Sequence, residues 1–259
     1  MTMPVIDSES LGIVDGHVHL DQVPEVQEAL SEARRRGLLG VVAVGMNEKS
    51  SRLNLEFSMK YPGFVIPAVG IHPWMVEPET AERETLAVLS LLNAASALGE
   101  VGLDYKISRT KDLQKHVFHR LLEGAGRLEK PVIIHSRYAH ARAFEIVRDM
   151  GIQRAVFHWY SGPMDVLIRI IDSGYFISVT PALAYSASHR EAARYAPLDQ
   201  ILIETDAPVS YQGVPAVPIH LYRTLELLAE IKSVAKESVA GQTTRNARSF
   251  FGIPWGQTI

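Results

Sequence analysis

The stretch Ile13-Val14-Asp15-Gly16-His17-Val18-His19-Leu20 is short, largely apolar, and ends with two histidines one residue apart. Its β-branched residues and the Asp21 boundary favour a strand over a buried helix. Strand side chains alternate between faces, so Asp15, His17 and His19 are expected on one face, and Val14, Val18 and Leu20 on the other. Two neutral imidazoles side by side keep donors and acceptors that need partners. A divalent metal would satisfy them, and so would a hydrogen-bonded pair at a strand end. On this segment alone both readings stand.

Seven runs of the same kind follow, expected as strands over 39–46, 64–71, 97–103, 131–136, 154–159, 175–180 and 200–205. Amphipathic stretches lie between them, expected as helices over 24–36, 49–60, 78–96, 110–129, 138–150, 163–173, 187–195 and 217–232, with a final helix over 236–250. Eight strand–helix pairs in 259 residues average roughly 32 residues per unit, which fits an α/β fold of the (β/α)8 TIM-barrel type. An open doubly wound sheet shows the same alternation with fewer repeats. Residues 1–259 read as one domain, without low-complexity tracts or long linkers.

Composition narrows the chemistry. The chain has no cysteine, which excludes disulfides, thiolate metal sites and cysteine nucleophiles. A net charge of −3 argues against a broad basic surface that coats duplex nucleic acid, although contact with a strand end is compatible with it. The apolar run Leu38 to Met46 is far short of the roughly 20 residues that span a bilayer. MTMPVIDSES has neither the cationic start nor the apolar stretch of a secretory signal, so a cytoplasmic location is expected, with no membrane and no obligate protein partner.

In a barrel of this type the chemistry sits at the carboxyl ends of the strands. Of ten histidines, His17, His19, His72, His135 and His158 fall at or just past such ends. Glu100 lies inside the apolar run Ala97-Leu98-Gly99-Glu100-Val101-Gly102-Leu103, where an ionised carboxylate needs a cation. That cation is either a metal or a neighbouring arginine. By alternation Glu100 is expected to share a face with Leu98 and Gly102. Asp206 ends the last run and shares parity with Leu202 and Glu204. Together, four imidazoles and two carboxylates from strands one, four, five, six and eight converge on one mouth, enough for two divalent ions with one bridging carboxylate.

These residues resemble a family. The stretches Val14–Asp21, Ala68–Pro73, Gly99–Tyr105, Pro131–Arg137, Phe157–Gly162, Leu202–Pro208 and Thr243–Ala247 are similar, in order, to motifs of the TatD family of metal-dependent hydrolases, within the amidohydrolase-like barrels. The resemblance implies that His17 and His19 bind one metal with Asp206, that Glu100 bridges, and that His135 and His158 bind the second. It also implies divalent-metal-dependent deoxyribonuclease activity, in several members as a 3′→5′ exonuclease. Zn, Mn and Mg are not distinguished by this ligand set. A water placed between such ions would attack phosphorus in line with the leaving 3′-oxygen, with Asp206 as ligand and proton acceptor.

Glu204 and Asp15 are expected behind the ligands, orienting them. His72, Arg137, Asp104 and Tyr105 are expected to face the substrate, and Tyr105, Trp74, Trp159 and Tyr160 are candidates for base stacking. The substrate expected is a single-stranded DNA end or a small phosphoester. Two features depart from the family pattern. Val209–Pro218 carries no charge where a basic stretch is usual, and Tyr138 stands where an acid is common. They leave the metal ligands intact and give weight to an alternative, hydrolysis of a small amide, lactone or phosphate ester. A non-enzymatic scaffold barrel would require a degraded ligand set. The Asn246 motif is expected to pack the last helix.

Overall fold

The computed structural model describes residues 11–255, so the amino-terminal segment read for a secretory signal lies outside the described residues. Eight parallel strands stand in sequence order: β1 (Ile13–Val18), β2 (Leu38–Val44), β3 (Val65–Val69), β4 (Ala97–Asp104), β5 (Val132–Arg137), β6 (Ala155–Phe157), β7 (Phe176–Val179) and β8 (Ile201–Ile203). The helices after them are α1 (Val26–Arg35), α2 (Glu48–Lys60), α3 (Ala81–Leu91), α4 (Lys111–Arg127), α5 (His140–Asp149), α6 (Met164–Asp172), α7 (Ala187–Tyr195) and α8 (Leu221–Lys232). A further helix, α9 (Lys236–Phe251), follows α8, and a small hairpin of β9 (Ser210–Tyr211) and β10 (Val214–Pro215) interrupts the β8–α8 connection. This is the barrel expected from the strand–helix alternation. No helix among the described residues is long and apolar enough to cross a membrane.

Two apolar cores divide the side chains by strand face. The inner core takes Val14, Val42, Ile66, Ala97, Ile133, Val156 and Leu202 from seven strands, with Phe176 of β7 against it. Phe250, Phe251 and Trp255 complete it, so the α9 end plugs the barrel floor. The outer core packs the other strand face against the helices, for example Leu98, Val101 and Leu103 against Val117, Phe118 and Leu121. Asn246 secures α9 through Nδ2, which donates to the carbonyls of Leu198 and Ile201 at 2.8 Å each.

Strand alternation alone misassigns two strands. Val14 belongs to the inner core, not to the helix-facing side, and Leu98 faces the helices rather than sharing a side with Glu100. The cause is a slip of one residue in each strand. Asp15 and Val18 of β1 pair with Val41 and Ala43 of β2, three steps against two, and Leu98 and Val101 of β4 pair with Val132 and Ile134 of β5 in the same way. An extra residue of this kind reverses the faces of everything beyond it. Beyond the slips, His17 and Glu100 turn inward.

β8 is shorter than expected and ends at Ile203, so Glu204, Thr205 and Asp206 lie beyond the strand. β1 and β8 meet through the bridge between Val18 and Ala207, the bond from His19 N to Ala207 O at 2.8 Å, and that from Asp206 N to His17 O at 3.0 Å. Asp15 adds to this seam. Its Oδ1 accepts from Thr205 N at 2.9 Å, and its Oδ2 from the Thr205 hydroxyl at 2.6 Å.

Candidate metal centre

The carboxyl ends of β1, β4, β5 and β6, with the loops after β3 and β8, deliver their polar side chains to one cavity of about 560 Å³. Among its lining residues are His19, His72, Glu100, His135, His158 and Asp206, and His17 lies fully buried behind them. Tyr138, Trp159 and Asp206 all have positive φ (55°, 43° and 51°).

Four donor atoms form one compact group. His17 Nε2 lies 3.2 Å from His19 Nε2, 3.3 Å from Glu100 Oε2 and 3.5 Å from Asp206 Oδ1. His19 Nε2 lies 3.5 Å from Glu100 Oε2 and 3.4 Å from Asp206 Oδ1. A tetrahedral shell with ligand bonds of roughly 2.0–2.2 Å has edges of about 3.3–3.6 Å, so the spacing suits a small divalent ion. Asp206 Oδ1 is buried with no hydrogen-bond donor to satisfy it, an orphaned acceptor that a cation would complete.

The other oxygen of Glu100 turns to a second group. Oε1 is 2.7 Å from His135 Nδ1, 3.6 Å from His72 Nε2 and 3.7 Å from His158 Nε2. His158 Nε2 is also 3.8 Å from Asp206 Oδ2. One carboxylate thus faces two nitrogen-rich clusters with its two oxygens, the arrangement a bridging ligand requires. The donor set of imidazoles and carboxylates suits Zn²⁺, Mn²⁺ or Fe²⁺ better than all-oxygen Mg²⁺ chemistry.

Behind the histidines stand three carboxylates, and two of them differ from expectation. Glu204 Oε1 receives His158 Nδ1 at 2.7 Å and Trp159 N at 3.1 Å, which orients the ring with Nε2 toward the cluster. Asp104 does not point at the mouth. Its Oδ2 accepts from Trp74 Nε1 at 2.6 Å and lies 3.4 Å from His135 Nε2, so the carboxylate stands behind His135 instead of facing a substrate. Trp74 is half exposed, with its indole N–H committed to that contact. Asp15 corrects the expectation in the opposite direction: its side chain bonds Thr205 and the His17 backbone N–H, not an imidazole, because the slip in β1 turns it to the seam. Burial pushes its carboxyl up to about 8 against the bonds from Thr205 and His17 that hold it down.

Hydrogen bonding also fixes the state of His72. The backbone N–H of Trp74 donates to His72 Nδ1 at 3.1 Å, so Nδ1 is an acceptor and the proton of a neutral ring sits on Nε2. Burial drives the group well below its ordinary value and keeps it neutral. His72 Nε2 therefore carries an N–H at the cavity wall, 3.1 Å from His135 Nδ1 and within ligand range of Glu100. Elsewhere the charges support one another. Burial would raise Glu100, but the imidazoles that face it, with His158 and the hydrogen bond from His135 among them, hold it well below the usual carboxylate range. Burial would lower His158, yet the Glu204, Glu100 and Asp206 carboxylates raise it to about 10. Asp206 is likewise held down, mainly by His158 acting against burial.

Arg137, the last residue of β5, lines the cavity and is exposed. Tyr105 is half-buried against the outer core with the Lys111 ammonium 4.9 Å from its ring centre, outside the lining. Tyr160 is buried, its hydroxyl spent on the Pro163 carbonyl, so it offers no stacking face. Sequence reading missed Tyr185 and Ser186, which line the cavity from the loop after β7. The signal available was the polar and aromatic content of a loop at a strand's carboxyl end.

Known proteins resemble this chain over nearly its whole length. The family model described as TatD related DNase matches residues 14–252. Deoxyribonuclease TATDN3 of Homo sapiens is 29% identical over 260 residues, covering 93% of this chain and 95% of that protein. YcfH of Escherichia coli (strain K12), described as an uncharacterized metal-dependent hydrolase, is 30% identical over 256 residues, covering 93% and 96%. The crystal structure of YJJV, a TatD homologue from Escherichia coli K12, superposes with a TM-score of 0.87 at 25% identity, covering 93% of this chain and 98% of that one.

Proposed function

The chain belongs to the TatD family of metal-dependent hydrolases, and on that premise we propose that it is a two-cation phosphodiesterase that removes nucleotides from the 3′ end of single-stranded DNA. What supports the reading is the pair of donor clusters that share Glu100. In this reading His17, His19 and Asp206 hold one ion, His135 and His158 the other, and Glu100 both. The whole chain, 1–259, acts as one domain in the cytoplasm. When bound, the ions supply a water of lowered pKa and positive charge opposite the phosphoryl oxygens.

The side chains supply the rest. Asp206, held ionised, accepts the proton of the attacking water at Oδ2 while Oδ1 stays with the histidines. His72 donates its Nε2–H to a phosphoryl oxygen, and Arg137 grips another with its guanidinium fork. Glu204 and Asp104 hold the rings of His158 and His135 in place. The neutral lining along the β6–β8 loops favours one other reading, hydrolysis of a small amide, lactone or phosphate ester.

Purified protein incubated with a single-stranded oligonucleotide and Mg²⁺, Mn²⁺ or Zn²⁺ is expected to release nucleotides from the 3′ end. Glu100→Ala or Asp206→Asn is expected to abolish the release. A folded, metal-loaded sample that turns over no phosphodiester but cleaves an amide or lactone would overturn the nuclease reading.

A further inference from the structure

The mouth of the cavity is unequally charged. On the β4–β5 side Arg137 lines it, and Lys106 is exposed just past Asp104, the residue that pairs in register with Arg137. On the β6–β8 side, outward of His158 and Asp206, the lining is Trp159, Ser161, Tyr185, Ser186, Pro208 and Val209, none of them charged. The hairpin beyond, Ser210 to Pro215, is uncharged too. Tyr185 is 47% exposed, and the Trp159 ring packs on that of Tyr211 at 5.4 Å. The Tyr211 hydroxyl donates to the Thr205 carbonyl at 2.9 Å, so this wall offers ring faces and small hydroxyls instead of ions. Such a surface accepts a base and a sugar by stacking and apolar contact. It holds nothing that would receive a second phosphate.

Resting on the phosphodiesterase reading above, we propose that the β6–β8 wall holds the terminal nucleoside with a free 3′-hydroxyl, while the remaining strand leaves past Arg137. The enzyme then acts on 3′-hydroxyl ends and refuses 3′-phosphate ends. In the step itself the water oxygen bonds to phosphorus and the P–O3′ bond to the penultimate nucleotide breaks. One water proton goes to Asp206, which then gives it up to the departing 3′-oxygen and is ionised again, leaving a 5′-mononucleotide and a strand one residue shorter with a 3′-hydroxyl. A terminal phosphate would enter a neutral wall on the same loop as Asp206 and lose hydration with no cation in return.

Two 5′-labelled single strands of one sequence, ending in 3′-hydroxyl or 3′-phosphate, test this with Mn²⁺ present. The phosphate end is expected to show kcat/KM lower by on the order of tenfold or more, since uncompensated and like charges are strongly discriminated. Ser161→Lys places a cation on the neutral wall and is expected to raise the rate at the phosphate end, narrowing the ratio. Binding is read separately by tryptophan fluorescence, with deoxyadenosine 5′-monophosphate expected to bind more tightly than the 3′,5′-bisphosphate. Equal rates on both ends, a ratio unmoved by Ser161→Lys, or equal binding of the two nucleotides would overturn the assignment of the wall. Cleavage of neither strand would instead overturn the phosphodiesterase reading on which it rests.

Discussion

Replacing Glu204 by glutamine tests whether the carboxylate behind His158 governs one cation and not the other. Glu204 is buried, and its Oε1 accepts from His158 Nδ1 at 2.7 Å and from Trp159 N at 3.1 Å. Glutamine keeps an acceptor oxygen in that place and removes only the charge. A hydrogen bond to a charged group contributes about 1.5–3 kcal/mol and a neutral one about 0.5–1.5. The charge is thus worth about 1–1.5 kcal/mol, and at about 1.4 kcal/mol per decade this is roughly a five- to twelvefold loss of affinity for the ion that His158 helps to hold. Glu204→Ala also strips the acceptor and is expected to cost about 12- to 140-fold by the same arithmetic.

Competition of Mn²⁺ or Zn²⁺ against a chelating dye reads the two binding classes separately. Only one class is expected to weaken in Glu204→Gln, while the class formed by His17, His19 and Asp206 keeps its affinity. A thermal melt of the metal-free variant separates a binding loss from a folding loss. Equal weakening of both classes, or no change in either with the fold intact, would refute the assignment of Glu204 to the ring of His158.

Other perturbations act on the frame. Thr205→Val removes the hydroxyl that donates to Asp15 and is expected to cost about 1–3 kcal/mol in urea unfolding, with Thr205→Ser restoring most of it. His189 is buried, with Nδ1 2.7 Å from the Tyr160 carbonyl and Nε2 accepting from Thr180 N at 3.1 Å, and burial lowers it from 6.5 to about 4. The unfolded chain therefore binds the extra proton first, so this stability is present above about pH 6.5 and is lost as pH falls toward 4, by about 3 kcal/mol. Wild type is expected to lose that much more than His189→Gln between pH 7 and 4 in chemical denaturation, and equal losses would count against it. Gly102 has φ 146° and its added Cβ would fall on the His135 carbonyl, so Gly102→Ala is expected to destabilise by about 3 kcal/mol, visible as a lower Tm.

Much of the centre was legible in the chain as written. An acid inside an apolar run, as at Glu100, or histidines at the ends of β-branched runs are costly unless something compensates them, and that cost is visible without coordinates. The ring contacts were not legible. Asp104 and Tyr105 stand next to each other in sequence, yet one turns behind His135 and the other packs into the outer core. His72 reads as a histidine after a strand. Its neutral tautomer follows from a backbone N–H two residues on, in a short turn whose conformation no pattern announced.

Local alternation of apolar runs and amphipathic stretches, with turn residues between them, was enough to determine the barrel and to bring the candidate ligand residues to its carboxyl end. Both follow from short-range rules: the period of a strand, the period of a helix, and the connection lengths that close eight units. Only the tertiary structure decided which way the inward residues face, because one-residue slips in β1 and β4 depend on pairing with β2 and β5. It also decided that Asp15 closes a seam with Thr205, 190 positions away, and that Glu204 holds His158, 46 positions away. Such partners are chosen by packing across the whole barrel, and no local pattern carries that information.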